Sequence, residues 1–175
     1  SGRAQITWSG DVVLNDHHTI NITDELVISA CTNVTMANDV RIYVEGRITV
    51  EGTETCPVIF DYAGGGDHMG IQFNSSSNSR GSRVDNASIV HSTYGISIYS
   101  SNPYIANTTI WDADNVAIDL FDSATPIIRD VIINEAGQDW NFPTNWRYGI
   151  GLSIGAGSAP NVDGLSVNDA VTRGV

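Results

Sequence analysis

At 175 residues the chain is long enough for one domain with a full core, and its charge is lopsided, with 15 Asp and 5 Glu against 8 Arg and no Lys. A net charge of −12 argues against nucleic acid or an anionic membrane surface as partner, and suits a solvated acidic surface, divalent cations or a salty environment. No apolar run approaches the ~18 residues a membrane span requires, and the opening Ser1-Gly2-Arg3 is not a signal peptide, so any targeting segment is expected to have been removed or to lie elsewhere.

Residues 6 to 14 (Ile6-Thr7-Trp8, then Asp11-Val12-Val13-Leu14) are rich in β-formers but stand outside the pattern that follows. A stack of strands exposes unpaired edges at its first turn. Residues 1 to 18 are therefore expected to form an N-terminal cap segment, with Trp8 packed on the end of the core.

From residue 19 to residue 175 short apolar pulses recur. The clearest copy is Gly95-Ile96-Ser97-Ile98, Pro103-Tyr104-Ile105 and Asn107-Thr108-Thr109-Ile110. It starts again about 22 residues later as Ala117-Ile118-Asp119-Leu120, Pro126-Ile127-Ile128 and Asp130-Val131-Ile132-Ile133. Such a period marks a solenoid, and pulses of three or four β-formers mark β rungs instead of helical repeats. The period places about six rungs of three strands. First strands start at Thr19, Ile42, Gly70, Gly95, Ala117 and Gly149. Third strands start at Val34, Val58, Ala87, Thr108, Val131 and Leu165.

Alternation sends one or two side chains per strand inward. The expected interior columns are Ile71, Ile96, Ile118 and Ile150 on the first face, and Phe60, Ile89, Ile110, Ile133 and Val167 on the third. Pro103, Pro126 and Pro160 each enter a second strand, where no ladder donor is lost. The arithmetic also finds three insertions: a polar one at 74–82, a Gly-rich one at 61–69, and an aromatic one at 134–148. The last two leave the same corner, between third and first strands. After Val167 no polar cap is evident, so the rod is expected to belong to a longer chain or to meet a partner there.

One run carries a family resemblance. Val40-Arg41-Ile42-Tyr43-Val44-Glu45-Gly46-Arg47-Ile48-Thr49-Val50-Glu51-Gly52-Thr53, followed by Pro57-Val58-Ile59-Phe60 and Gly70-Ile71-Gln72-Phe73, resembles the opening of right-handed parallel β-helix proteins, the pectin-lyase-like superfamily. The likeness spans roughly residues 19 to 170 and implies an all-β, right-handed parallel β-helix. It implies no single activity, because that superfamily holds lyases, glycoside hydrolases, epimerases, phage tailspikes and surface proteins with no known reaction. The Asn-Thr-Asp, Gly-His-Gly and Arg-Ile-Lys series of polygalacturonases is absent, and there is no Lys to act as a lyase base, although an Arg serves in that role in the pectate lyase group. Arg129, deep in the repeat, reads as an outward strand residue.

Cys31 and Cys56 precede equivalent third strands, which places them one above the other on adjacent rungs, within reach of a disulfide. Two buried free thiols are the alternative. Zinc or redox chemistry is not suggested, since no C-x-x-C spacing occurs. Asn-x-Ser/Thr sequons at Asn21, Asn33, Asn74, Asn86 and Asn107 are glycan acceptors if the chain is exported and each site is exposed. Asn86 and Asn107 also occupy equivalent positions, where a short Asn ladder would compete with glycosylation. A cysteine pair favours an extracellular or cell-surface location.

Polar chemistry gathers on one edge. Two residues past each third strand stand Asn38, Tyr62, His91, Asp112, Glu135 and Asp169, with Asp67, His68, Tyr94 and Asp114 on the same edge. Asp112, Asp114 and Glu135 offer hard oxygen ligands for Ca²⁺. In an enzyme, Asp112, Asp114, Glu135 and Arg147 would be the catalytic set, two carboxylates serving as acid and base for glycosidic cleavage. Trp140, Trp146 and Tyr148 are candidates to stack on sugar rings, and Arg147 to pair with a uronate carboxylate. Against this stands the plain fact that Asp is a common corner residue and that large rings in a loop pack on something. His91 alone reads as an ordinary turn histidine.

The leading expectation is a non-catalytic exported module for binding a polysaccharide, glycan or another surface protein. The alternative is a polysaccharide-active lyase, epimerase or hydrolase, and a third is a spacer in a surface fibre.

Overall fold

A computed structural model describes residues 4–137 and 149–170. The strands in chain order begin with β1 (Ala4–Trp8), β2 (Asp11–Leu14), β3 (His18–Ile20), β4 (Asp24–Ser29) and β5 (Asn33–Met36). They continue with β6 (Ile42–Val44), β7 (Arg47–Glu51), β8 (Val58–Tyr62), β9 (Ile71–Phe73) and β10 (Arg83–Asp85). The longer ones follow: β11 (Ala87–Tyr99), β12 (Tyr104–Ala106), β13 (Thr109–Phe121), β14 (Ile127–Ala136), β15 (Ile150–Ile154) and β16 (Asn161–Asn168). Among the described residues there is no α-helix, and no helix is long and apolar enough to cross a membrane.

All paired strands run parallel, in one curled sheet consistent with a β-solenoid. Three ladders compose it. The first runs β3, β6, β9, the end of β11, the end of β13 and β15. The second runs β1, β4, β7, β10, β12, and the starts of β14 and β16. The third runs β2, β5, β8, the starts of β11 and β13, and the ends of β14 and β16. Consecutive strands belong to different ladders, so the chain winds and each turn hydrogen-bonds to the turns before and after it. Residues 6 to 14, expected as a cap, lie in β1 and β2. These strands extend the second and third ladders by parallel pairing, and half-buried Trp8 packs on the core.

The third ladder stacks its apolar residues in register: Val12, Val34, Phe60, Ile89, Ile110, Ile133 and Val167. Its middle members are wholly buried. Strand spacing of about 4.8 Å puts like aliphatics in van der Waals contact, so the column is continuous. The first ladder gives Ile42, Ile71, Ile96 and Ile118, but its next partner is Leu152, not Ile150; Ile150 pairs with Val116. The cause is local. Gly149-Ile150 and Gly151-Leu152 repeat a glycine–aliphatic pair, and a two-residue slip leaves the same faces inward. Sequence alternation cannot tell the two registers apart.

The turns use a fixed device. Between second and third ladders a single residue turns the chain with positive φ: Asn86 at 49°, Asn107 at 46°, Asp130 at 49° and Gly164 at 72°. Between third and first ladders His91 at 54°, Asp112 at 57° and Glu135 at 55° do the same, and Asp169, just past β16, has φ 56°. Asn, Asp and His tolerate this left-handed conformation better than branched residues. The prolines behave as expected. Pro103 and Pro126 donate nothing, but their carbonyls accept from Ile127 N–H at 3.0 Å and Asn161 N–H at 2.9 Å.

Cys31 and Cys56 form a disulfide, with their Cα atoms 4.8 Å apart. That separation equals the rung spacing, so the bridge forms without displacing either strand.

Candidate functional site

The corner between third and first ladders brings several of the expected residues together. His91 lies with Nδ1 2.7 Å from Asp61 Oδ1 and Nε2 3.9 Å from Asp112 Oδ2. The hydrogen bond to Asp61 raises the His91 pKa, helped by the Asp112 charge, although burial opposes it. Burial raises the Asp112 carboxyl above its usual range. His91 works against that shift, while Asp67 and Glu135 add to it. Both side chains remain accessible to water.

Beneath this pair sits His68, fully buried. Its Nδ1 accepts from Gly70 N–H at 2.9 Å, so Nε2 carries the proton and donates to Val90 O at 3.1 Å. Burial pushes its pKa down to about 4. The ring is therefore neutral and serves as a strut joining β9 to β11. Gly70, at φ 70°, passes so close to the Tyr94 and Gly95 carbonyls that no Cβ fits there.

Among the described residues no group of three or more His, Cys, Asp or Glu is placed to hold a metal ion, and Asp112, Asp114 and Glu135 form none. Asp112 and Glu135 instead supply left-handed corner residues, and half-buried Asp114 accepts from Gly149 N–H through its carbonyl at 3.2 Å. Trp140, Trp146, Arg147 and Tyr148 lie outside the described residues. Arg129 donates to the Ile128 carbonyl and to Asn161, a pairing along the outer surface.

The sequons differ in setting. Asn86 and Asn107 do not bond to each other; both amides donate to Asp85 Oδ1, at 3.1 and 2.8 Å. Burial disfavours the Asp85 charge, yet hydrogen bonds from Arg83 and Asn107 outweigh it and hold the carboxyl below its ordinary value. Asn21 and Asn33 are exposed, and their amides donate to Asp24 and Asp11 at 3.0 Å each. Asn74 accepts from Gln72 Nε2 at 2.8 Å.

A cavity of about 320 Å³ lies beside the first ladder, lined by Arg41, Met69, Tyr94, Ser97, Tyr99, Asp119 and Phe121. Tyr99 and Phe121 stack with centroids 4.5 Å apart and planes 9° apart. The Arg41 guanidinium sits 5.9 Å from the Tyr43 ring and 5.6 Å from the Tyr94 ring. It is aimed by bonds to Met69 O at 3.0 Å and Gln72 Oε1 at 2.6 Å. Sequence reading did not single out Arg41, Tyr99 or Phe121. A signal was available: Tyr99 and Phe121 fill the same position of consecutive repeats, on the outer side of Ile98 and Leu120.

Comparison of the chain with protein-family models, with curated proteins and with solved structures finds no match.

Proposed function

We propose that this chain is a non-catalytic, exported or cell-surface binding module. In this reading it is a right-handed parallel β-helix of about six three-strand rungs, similar to the pectin-lyase-like group, and the outer face of its first ladder binds a glycan. One observation carries the reading: the cavity lined by Arg41, Tyr94, Tyr99, Asp119 and Phe121. Stacked aromatic rings offer apolar faces for sugar C–H groups, while the Arg41 guanidinium addresses hydroxyls. The rings stand on strands whose register is fixed on both sides, so the surface is ordered before a ligand arrives and little entropy is lost on binding. The disulfide suits an oxidising compartment. The acidic surface disfavours nucleic acid.

A second reading, a polysaccharide-active enzyme, has one observation in its favour. Asp112 combines a raised carboxyl pKa with a histidine at its side, a combination often found in general acids.

The test is a glycan array probed with and without Ca²⁺, repeated with Arg41→Ala and Tyr99→Ala. The proposal expects hits that weaken about tenfold or more in either variant. An empty array, or an array on which no hit weakens in either variant, contradicts it. Release of shortened products from any hit favours the enzyme instead.

A further inference from the structure

A second recess lies on the other side of the rod. It is a groove of about 770 Å³ where the second and third ladders meet, between the 52–57 loop and the outer face of β13 and β14. One wall is rigid. Thr53 and Cys56 bridge each other through paired backbone bonds of 3.1 Å, and Cys56 is tied to Cys31 by the disulfide. At the loop's entry, Gly52 lies so close to the Asn86 carbonyl that no Cβ fits. The floor carries Thr109 and Asn107, and the far side Asp130 and Ile132.

Two residues along β13 from Thr109, about 7 Å away on the same outer face, stands Trp111. It is 49% exposed, and Ile132 is 43% exposed. Nothing in the fold requires a tryptophan there: the ladder neighbours of Trp111 are Val90 and Asn134, and its ring stays half in water. The exposed ring is therefore an apolar platform beside a polar groove, and the sequence reading gave it no role.

The lining selects among ligands. Its charged residues are Glu54 and Asp130, both acidic, with no Arg among the lining residues, so a uronate or sulfated polymer is repelled. Peptide capture by strand addition has no edge to use, because the starts of β11 and β13 are paired on both sides. What remains available is a set of side-chain hydroxyls, amides and carboxylates at strand spacing, next to an aromatic face. That chemistry fits a hydroxyl-rich, uncharged chain. We infer that the groove from Glu54 to Ile132, with Trp111 as its stacking platform, is a second binding site, and that its ligand is a neutral polysaccharide.

This site stands apart from the cavity beside the first ladder, and the two are separable by experiment. The full chain is titrated calorimetrically with neutral gluco-, xylo- and manno-oligosaccharides, with an oligogalacturonide, and with an oligoarginine peptide. The proteins are wild type, Trp111→Ala, Trp111→Phe and Arg41→Ala, each checked for an unchanged circular dichroism spectrum. At least one neutral oligosaccharide is expected to bind. Its affinity should fall about tenfold or more in Trp111→Ala, recover in part in Trp111→Phe, and stay within about twofold in Arg41→Ala. Binding that Trp111→Ala leaves intact overturns the inference. So does binding confined to the oligogalacturonide or the peptide, and so does the absence of any neutral ligand at millimolar concentration. Loss in Arg41→Ala alone supports the first-ladder site and overturns this one.

Discussion

His91 Nδ1 lies 2.7 Å from a carboxylate oxygen of Asp61, a residue 30 positions earlier in the chain. Winding makes the two neighbours: Asp61 is near the end of β8, and His91 turns the corner in the middle of β11. The Asp61→Asn variant should lower the His91 pKa, which an NMR titration of the imidazole resonances reads directly. The raised folded-state pKa contributes stability that is present below the ordinary histidine value and lost as pH rises through the folded value. Because the pair is half exposed, the effect on stability should be small. An unchanged His91 pKa in the variant contradicts the assignment.

His68 should behave in the opposite way. Its folded pKa of about 4 lies below the unfolded 6.5, so the unfolded chain takes up the proton first as pH falls. Stability is then full above about 6.5 and lost as pH drops toward 4, by on the order of 3 kcal/mol for a group this deeply buried. Urea unfolding across that range measures it. A His68→Gln variant, even if less stable at neutral pH, should lose much of the dependence; an identical acid slope would point to the carboxylates instead.

The register at the end of the first ladder gives a third prediction. Leu152 is almost fully buried opposite Ile118, whereas Ile150 is half-buried opposite Val116. Leu152→Ala should cost about 2–5 kcal/mol and Ile150→Ala clearly less. Equal costs, or the reverse order, would restore the register that the sequence period suggests.

Replacing both Cys31 and Cys56 by Ser should lower stability by about 3 kcal/mol, the cost of freeing a loop of 25 residues in the unfolded chain. It should also loosen the 52–57 loop, whose amides should then exchange faster with solvent. Unchanged protection would show that Pro57 and the Thr53–Cys56 bridge hold the loop unaided.

Much of the fold was legible because a stack repeats itself. Once Ile96 and Ile118 were seen to recur with Ile89 and Ile110, the period placed the third-ladder column and set Cys31 over Cys56. It failed where the sequence is locally degenerate, as in Gly149-Ile150-Gly151-Leu152, because a two-residue slip conserves the inward face. It also missed that β1 and β2 pair like later strands, Trp8 with Ile28 and Val12 with Val34.

The site was less legible, for a related reason. Asp112, Glu135 and His91 drew attention as a polar column, yet their shared property is the positive φ of a corner. Corner duty and chemistry select the same residue types. The aromatic residues Tyr99, Phe121 and Trp111 face outward from strands, where sequence alternation marks a position as external without saying what lies against it.

The central claim is that this is a module for binding glycans. It is tested most directly by incubating the protein with each glycan it retains on an array and analysing the supernatant for shortened or unsaturated products. The account predicts saturable binding, for at least one retained glycan dependent on Arg41 and Tyr99, with no product formed from any. The absence of any retained glycan, or steady product release that Asp112→Asn abolishes while binding persists, would contradict it.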